Sequence, residues 1–342
     1  MGVGYSMHLP LGKVPPYLLG DTVFKYLGSR RDDIILGPSK GEDAAIVRAG
    51  NELLALHCDP ISAAYSKIGW IAMNVATNDI ATRGIRPRWA ISCILLPEGS
   101  DRTVLETISK DMDSAAQQLG VGIVGGHSEV TPGLNHPIVI VFPIGVAEGG
   151  KYVTSGNAKP RGKILLTKSV GIEGTAILAC DKAEVLNKRF GRKFVARCQS
   201  LFEKLSVMKE ALLAFETDGV QAMHDPTEGG LAGGLNELAD AANVGFRIYE
   251  DKIQIMPETR KICSFFEIDP LQLISSGSLL IVANPENSQA IIDRLEKEGI
   301  PCNMIGEITQ DRTRSIIKQN GQEVTLPMPL SDDLWKALKV TE

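Results

Sequence analysis

Apolar residues along this chain recur in short runs and in helical spacing, and the two patterns predict different elements. Short runs at 44–47, 52–57, 88–96, 122–124 and 137–147 are bounded by Gly, Pro, Asn or Asp and read as strands. So do runs at 163–167, 245–249, 278–282 and 303–308. Helical spacing runs through 67–82, on Ile68, Ile71, Ala72, Val75 and Ile80, and through 101–119, on Val104, Ile108, Met112, Ala115 and Leu119. Ser100 and Asp101 suit the start of the second of these. Further helices are predicted at 18–27, 207–217, 257–266 and 288–298, with a short amphipathic one in 330–342. The charged stretch 181–200 reads as a surface excursion. Strands alternating with helices across two stretches predict an α/β protein. A looser glycine-containing segment, 148–160, divides it into 1–155 and 156–342.

Four small polar clusters interrupt the apolar pattern of the first half. They are Gly41-Glu42-Asp43, His57-Cys58-Asp59-Pro60, Asn78-Asp79 and Gly125-Gly126-His127-Ser128-Glu129. Each falls where a strand or helix is expected to end. Carboxylates converging from the ends of different elements suit a hard cation such as Mg²⁺, which takes oxygen ligands and bridges to phosphate. Asn74 and Asn78 lie four apart on one helical face, with Asp79 adjacent. Gly125 and Gly126 let backbone N–H groups approach a phosphate. His127 and Glu129 beside them are the candidates for acid–base work. Local capping is the competing reading of any one cluster alone. In the second half, His224-Asp225-Pro226-Thr227-Glu228-Gly229-Gly230 precedes a helix. Thr227 suits an N-cap, and the two glycines suit an anion site at a helix N-terminus. A tight strand-to-helix turn explains that stretch equally well. Lys13, beside Gly12, is within reason a phosphate contact or a surface lysine.

Bulk composition narrows the class. The 342 residues are 44% hydrophobic and 23% charged, enough to bury a sizeable core in about two domains. A net charge of −5 argues against a nucleic-acid binder. The six cysteines are scattered without CxxC pairs, which suits a reducing compartment and neither a disulfide framework nor a zinc site. Cys58, beside Asp59, is the one near the candidate chemistry. No leader pattern and no run long enough to span a bilayer is present, so a cytoplasmic protein with no membrane association is expected.

GEDAA at 41–45, CDP at 58–60, NDIATRGIRP at 78–87, GGHSEV at 125–130 and HDPTEGGLAGGLNELA at 224–239 together resemble the PurM-like superfamily. Its members include aminoimidazole ribonucleotide synthetase, thiamine monophosphate kinase, selenophosphate synthetase and the hydrogenase-maturation HypE proteins. The second half is most similar to the HypE branch, through 225–237 and Ile268-Asp269-Pro270-Leu271. The resemblance implies a two-domain fold. Its first half contributes to a dimeric β-barrel, and its second is a layered α/β domain. It further implies ATP and Mg²⁺ as cofactors, with Asp43, Asp59 and Asp79 on metal and phosphate. Asn78, Gly125, Gly126, Asp225, Thr227, Gly229 and Gly230 would lie about the nucleotide. A small-molecule acceptor, a homodimer and a hydrogenase-maturation partner protein are implied as well. The chain departs from the HypE pattern at Glu129, Glu228 and Ser276, and ends Lys339-Val340-Thr341-Glu342 rather than in cysteine. Nucleotide binding is therefore expected to be kept and carbamoyl dehydration to be absent. HypE-type dehydration and a non-catalytic ATP-binding scaffold are the alternatives.

Overall fold

The structure is a computed structural model, described here for residues 8–9 and 11–340. The first sheet holds β1 (Ile34–Leu36), β2 (Ala45–Ala49), β3 (Glu52–Leu56), β4 (Asp59–Ile61), β5 (Pro87–Leu96), β6 (Gly122–Val130) and β7 (Ile138–Val146). Their order is β1-β2-β3-β7-β5-β6, with β4 also on β7. All pairings are antiparallel except β5 with β6. A parallel neighbour needs a crossover, and α3 (Arg102–Leu119) supplies it, capped by Asp101 through Thr103 and Val104 N–H. Helix α1 (Pro16–Asp21) stops short of the expected 27, with a single 3₁₀ turn at Val23–Lys25 beyond it. Helix α2 (Ile68–Ala81) lies under the sheet.

The second sheet holds β8 (Lys163–Thr167), β9 (Val220–His224), β10 (Gly245–Tyr249), β11 (Leu280–Ala283), β12 (Cys302–Thr309), β13 (Arg314–Ile317) and β14 (Glu323–Thr325). The order is β14-β13-β10-β12-β8-β11-β9. Around it pack α4 (Ile172–Asp181), α5 (Ala183–Phe190), α6 (Arg192–Gln199), α7 (Met208–Glu216), α8 (Gly230–Ala242), α9 (Pro257–Phe266), α10 (Ser288–Lys297) and α11 (Asp333–Leu338). The class is mixed α/β with two sheets, as expected.

The cores explain this layering. In β8, Ile164 and Leu166 pack with Leu231 and Leu235 of α8, while Leu165 between them packs with Ala211 of α7 and Ile291 of α10. In the first sheet, Ala90, Ile94, Val139 and Val141 pack on Ala72, Met73 and Met112. The alternate positions Trp89, Ile91 and Phe142 are exposed on the other face, as is Ile123 of β6. Helix α2 is buried nearly all round because Ile71 and Val75 turn away from the sheet to meet Ile172 and Leu201 of the second half. The stretch 181–200 corrects the expected surface excursion. Leu186, Phe194, Val195 and Cys198 are buried, and the charges there occupy only the outer faces of α5 and α6.

Candidate functional site

Strand and helix ends bring the acids together. Asp43 precedes β2, Asp59 opens β4, Asp79 lies in the last turn of α2, and Asp225 follows β9. Carboxylate oxygens of Asp43, Asp79 and Asp225 lie within 4.8 Å of one another. Ligand atoms of His57, Asp59 and Asp79 form a second such group. The expected trio of Asp43, Asp59 and Asp79 is thus divided between two groups that share Asp79. β3 and β4 run on in one line along β7, Leu56 opposite Ile144 and Asp59 opposite Val141, and this line carries Asp59 into the group of His57 and Asp79.

Cations hold one end of this assembly in place. His224 Nδ1 lies 2.6 Å from Asp43 Oδ1, and its Nε2 lies 3.1 Å from Glu237 Oε2. Lys13 Nζ donates to Glu237 Oε1 at 2.8 Å, and its backbone N–H donates to Glu228 at 2.7 Å. The wholly buried Arg83 pairs with Glu42 and, at 2.8 Å, with Asp43, and also donates to Ser155 and to the carbonyl of Met223. Thr82 Oγ1 donates to Asp43 at 3.0 Å.

These neighbours divide the acids into two electrostatic kinds. Burial disfavours ionised Asp43, but His224 and Arg83 outweigh it and hold the carboxyl well below its usual range. Burial opposes Glu237 in the same way, and Lys13 and His224 bring it down to about 2. Against its burial, Asp43 and Glu237 raise His224 to about 10. Asp79 and Asp225 go the other way. Burial pushes both well up, and neighbouring acids push further, Asp43 and Asp59 on Asp79, Asp79 and Asp43 on Asp225. Burial also raises Asp59 and lowers His57. Both oxygens of Asp225, a residue 1% exposed, lack any hydrogen-bond partner among the described residues. A charged donor set with such orphaned oxygens fits a bound cation, since buried acceptors without partners are costly. Glu173, in the first turn of α4, is a further buried acid. Burial raises it to about 8, with Asp59, Asp332 and Glu228 adding to the shift.

Other expected residues are placed differently. Asn78 does not face the acids: its amide donates to Leu205 O at 2.9 Å and accepts from Val207 N–H at 2.8 Å, joining the halves. Gly125 and Gly126 are not a loop but mid-strand in β6, paired with Ile91 and Ser92. A side chain at Gly126 would collide with the Ser92 carbonyl, so glycine serves strand approach here. His127 and Glu129 pair with each other at 2.9 Å, exposed on that edge strand. Thr227 makes no cap: Gly229 is the N-cap of α8. The Gly229 N–H donates to Asp332 Oδ2 at 2.6 Å and Gly230 N–H to Thr227 O, so both expected anion donors have internal partners. Sequence reasoning missed the roles of His57, Arg83, His224 and Glu237. His57 and His224 lay inside quoted clusters, which was the available signal.

Two family models match, the AIR synthase related protein N-terminal domain over residues 41–147 and the AIR synthase related protein C-terminal domain over 160–318. The chain belongs to the AIR synthase-related family. It is similar to the putative hydrogenase expression/formation protein of Methanocaldococcus jannaschii, 28% identical over 337 residues, covering 96% of this chain and 97% of that one. It is 31% identical to the carbamoyl dehydratase HypE of Rhizobium leguminosarum bv. viciae over 248 residues, 71% of this chain and 69% of that one. The crystal structure of the hydrogenase maturation protein HypE in complex with ATP shares the fold, with a TM-score of 0.69 and 23% identity over 96% of this chain and 98% of that one. Among the described residues no helix is long and apolar enough to cross a membrane.

Proposed function

We propose that this chain is an ATP- and Mg²⁺-dependent enzyme that activates or phosphorylates an oxygen of a small acceptor. Residues 1–155 form its nucleotide- and metal-binding domain and 156–342 its second domain. The observation that carries the reading is the Asp225 carboxylate, buried beside Asp43 and Asp79 with both oxygens unpartnered. In this reading Asp43, Asp79 and Asp225 hold Mg²⁺, with Asp59 on the phosphate side. The cation supplies charge neutralisation on phosphate, the main need of phosphoryl transfer. Arg83 and His224 keep Asp43 ionised and oriented, and Lys13 brings a positive charge to the same end of the site. The ATP complex of the similar HypE structure supports the choice of nucleotide.

The exposed apolar face of Trp89, Ile91 and Phe142 suits a second copy of this chain, closing two sheets into one barrel. His127 and Glu129 enter the chemistry only through such a homodimer, because among the described residues they pair with each other and not with the acids. The relatives' names support a role beside a hydrogenase-maturation partner protein. Calorimetric titration with Mg·ATP tests the assignment. Native protein is expected to bind, and Asp225→Asn to bind at least tenfold more weakly, a loss of about 1.4 kcal/mol. Equal binding by both would remove Asp225 from the site.

A further inference from the structure

The acid cluster contains a nitrogen donor that the Mg²⁺ reading leaves unused. His57 Nε2 lies 3.2 Å from Asp79 Oδ2. That separation would suit a hydrogen bond, yet Nε2 has no hydrogen-bond partner among the described residues, so ring and carboxylate lie side by side without pointing at each other. Asp59 completes the group, its carboxylate within 4.8 Å of both other ligand atoms. Cis ligands on a cation with bonds of ~2.1 Å sit about 3 Å apart, which is close to the separation here. The remaining imidazole nearby, His224, lies between Asp43 and Glu237, 2.6 Å and 3.1 Å away, and belongs to neither group of ligand atoms.

Asp79 stands between two unlike donor sets. Toward Asp43 and Asp225 every donor is a carboxylate oxygen, which suits hard Mg²⁺. Toward His57 and Asp59 one donor is imidazole nitrogen, which shifts preference to borderline transition metals. We propose that His57, Asp59 and Asp79 form a second cation position, bridged by Asp79 to the all-oxygen one, that takes a divalent transition metal in preference to Mg²⁺, with Mn²⁺ as its paramagnetic probe. Only the neighbouring Mg²⁺ position rests on the function proposed above; ligation by His57 is measurable without nucleotide.

The test is pulsed electron paramagnetic resonance of the full chain loaded with Mn²⁺, read for nitrogen hyperfine coupling, together with Mn²⁺ and Mg²⁺ titrations. Native protein should show coupling to one imidazole nitrogen. His57→Gln should abolish it and weaken Mn²⁺ binding by about tenfold or more, with Mg²⁺ binding little changed. Asp59→Asn should weaken Mn²⁺ while keeping the nitrogen signal, which guards against a folding defect in the first variant. Absence of coupling in saturated native protein, or its persistence in His57→Gln, would overturn the proposal. If Mg·ATP does not bind but the nitrogen signal is present, the nucleotide reading fails and this cation position stands.

Discussion

In the second sheet, neighbouring residues of β8 send side chains to opposite faces, and helices cover both: α8 lies over Ile164 and Leu166, α7 and α10 over Leu165. The first sheet has the same alternation in β5 and β7, but α2 and α3 cover one face only. Trp89, Ile91 and Phe142 are left between 41% and 45% exposed on the other. The apolar pattern is equal in both; the number of covering helices is not. The second sheet is thus complete within one chain, whereas the first presents a surface that hydrophobic burial would favour covering.

The sharpest way to break that contrast is to truncate one phenylalanine on each sheet. Phe246→Ala, at a fully buried position of β10, is expected to cost about 3–5 kcal/mol in denaturant unfolding. Phe142→Ala should cost ~0.5 kcal/mol or less in dilute protein, and should instead reduce the sedimenting mass. Equal destabilisation would mean that Phe142 is already packed within the chain. A smaller effect is expected where the two regions meet. Asn78→Ala removes a donor and an acceptor from buried main-chain groups of the second half, and about 2–3 kcal/mol should be lost. Two unfolding steps in the variant against one in the native protein would show that this amide couples the halves.

The smallest effect is pH-dependent. Glu173 is raised from its ordinary 4.5 to about 8, so the folded state holds a proton that the unfolded state releases. Its contribution is fully present below pH 4.5 and is lost as pH rises through about 8. Glu173→Gln keeps the neutral shape and should flatten the fall in Tm across that window, leaving acid stability unchanged. A Tm profile that keeps its slope in the variant would place the titration elsewhere.

These contrasts also mark what a one-dimensional pattern can carry. Strands such as β8 and β10 and helix α3 were legible because a run or a periodic stripe met turn chemistry at each end. Strands β4, β13 and β14 span three or four residues, too short for alternation to show. In α5 and α6, lysines and arginines masked buried positions because a helix needs only one apolar stripe. Gly125-Gly126 looked like a loop because glycine permits one, whereas here it permits close strand pairing. Asp43, Asp59, Asp79 and Asp225 were visible through their positions at expected element ends. Their partners were not. His57 lies beside Asp79 and His224 beside Asp43 through chain folding alone, and no spacing rule relates positions so far apart.

Arg83 carries a consequence for how this chain can change over generations. Its guanidinium touches side chains from positions 42, 43 and 155 and the main chain at 223, so both halves shape one buried charge. A gene that exchanged its second half with a distant cousin would inherit a receptor for that charge built to another sequence's specification. Crossovers that keep 42, 83, 155 and the turn at 223 from one parent preserve the match. The two sheets are therefore separate layers whose sequences vary together around one shared charge.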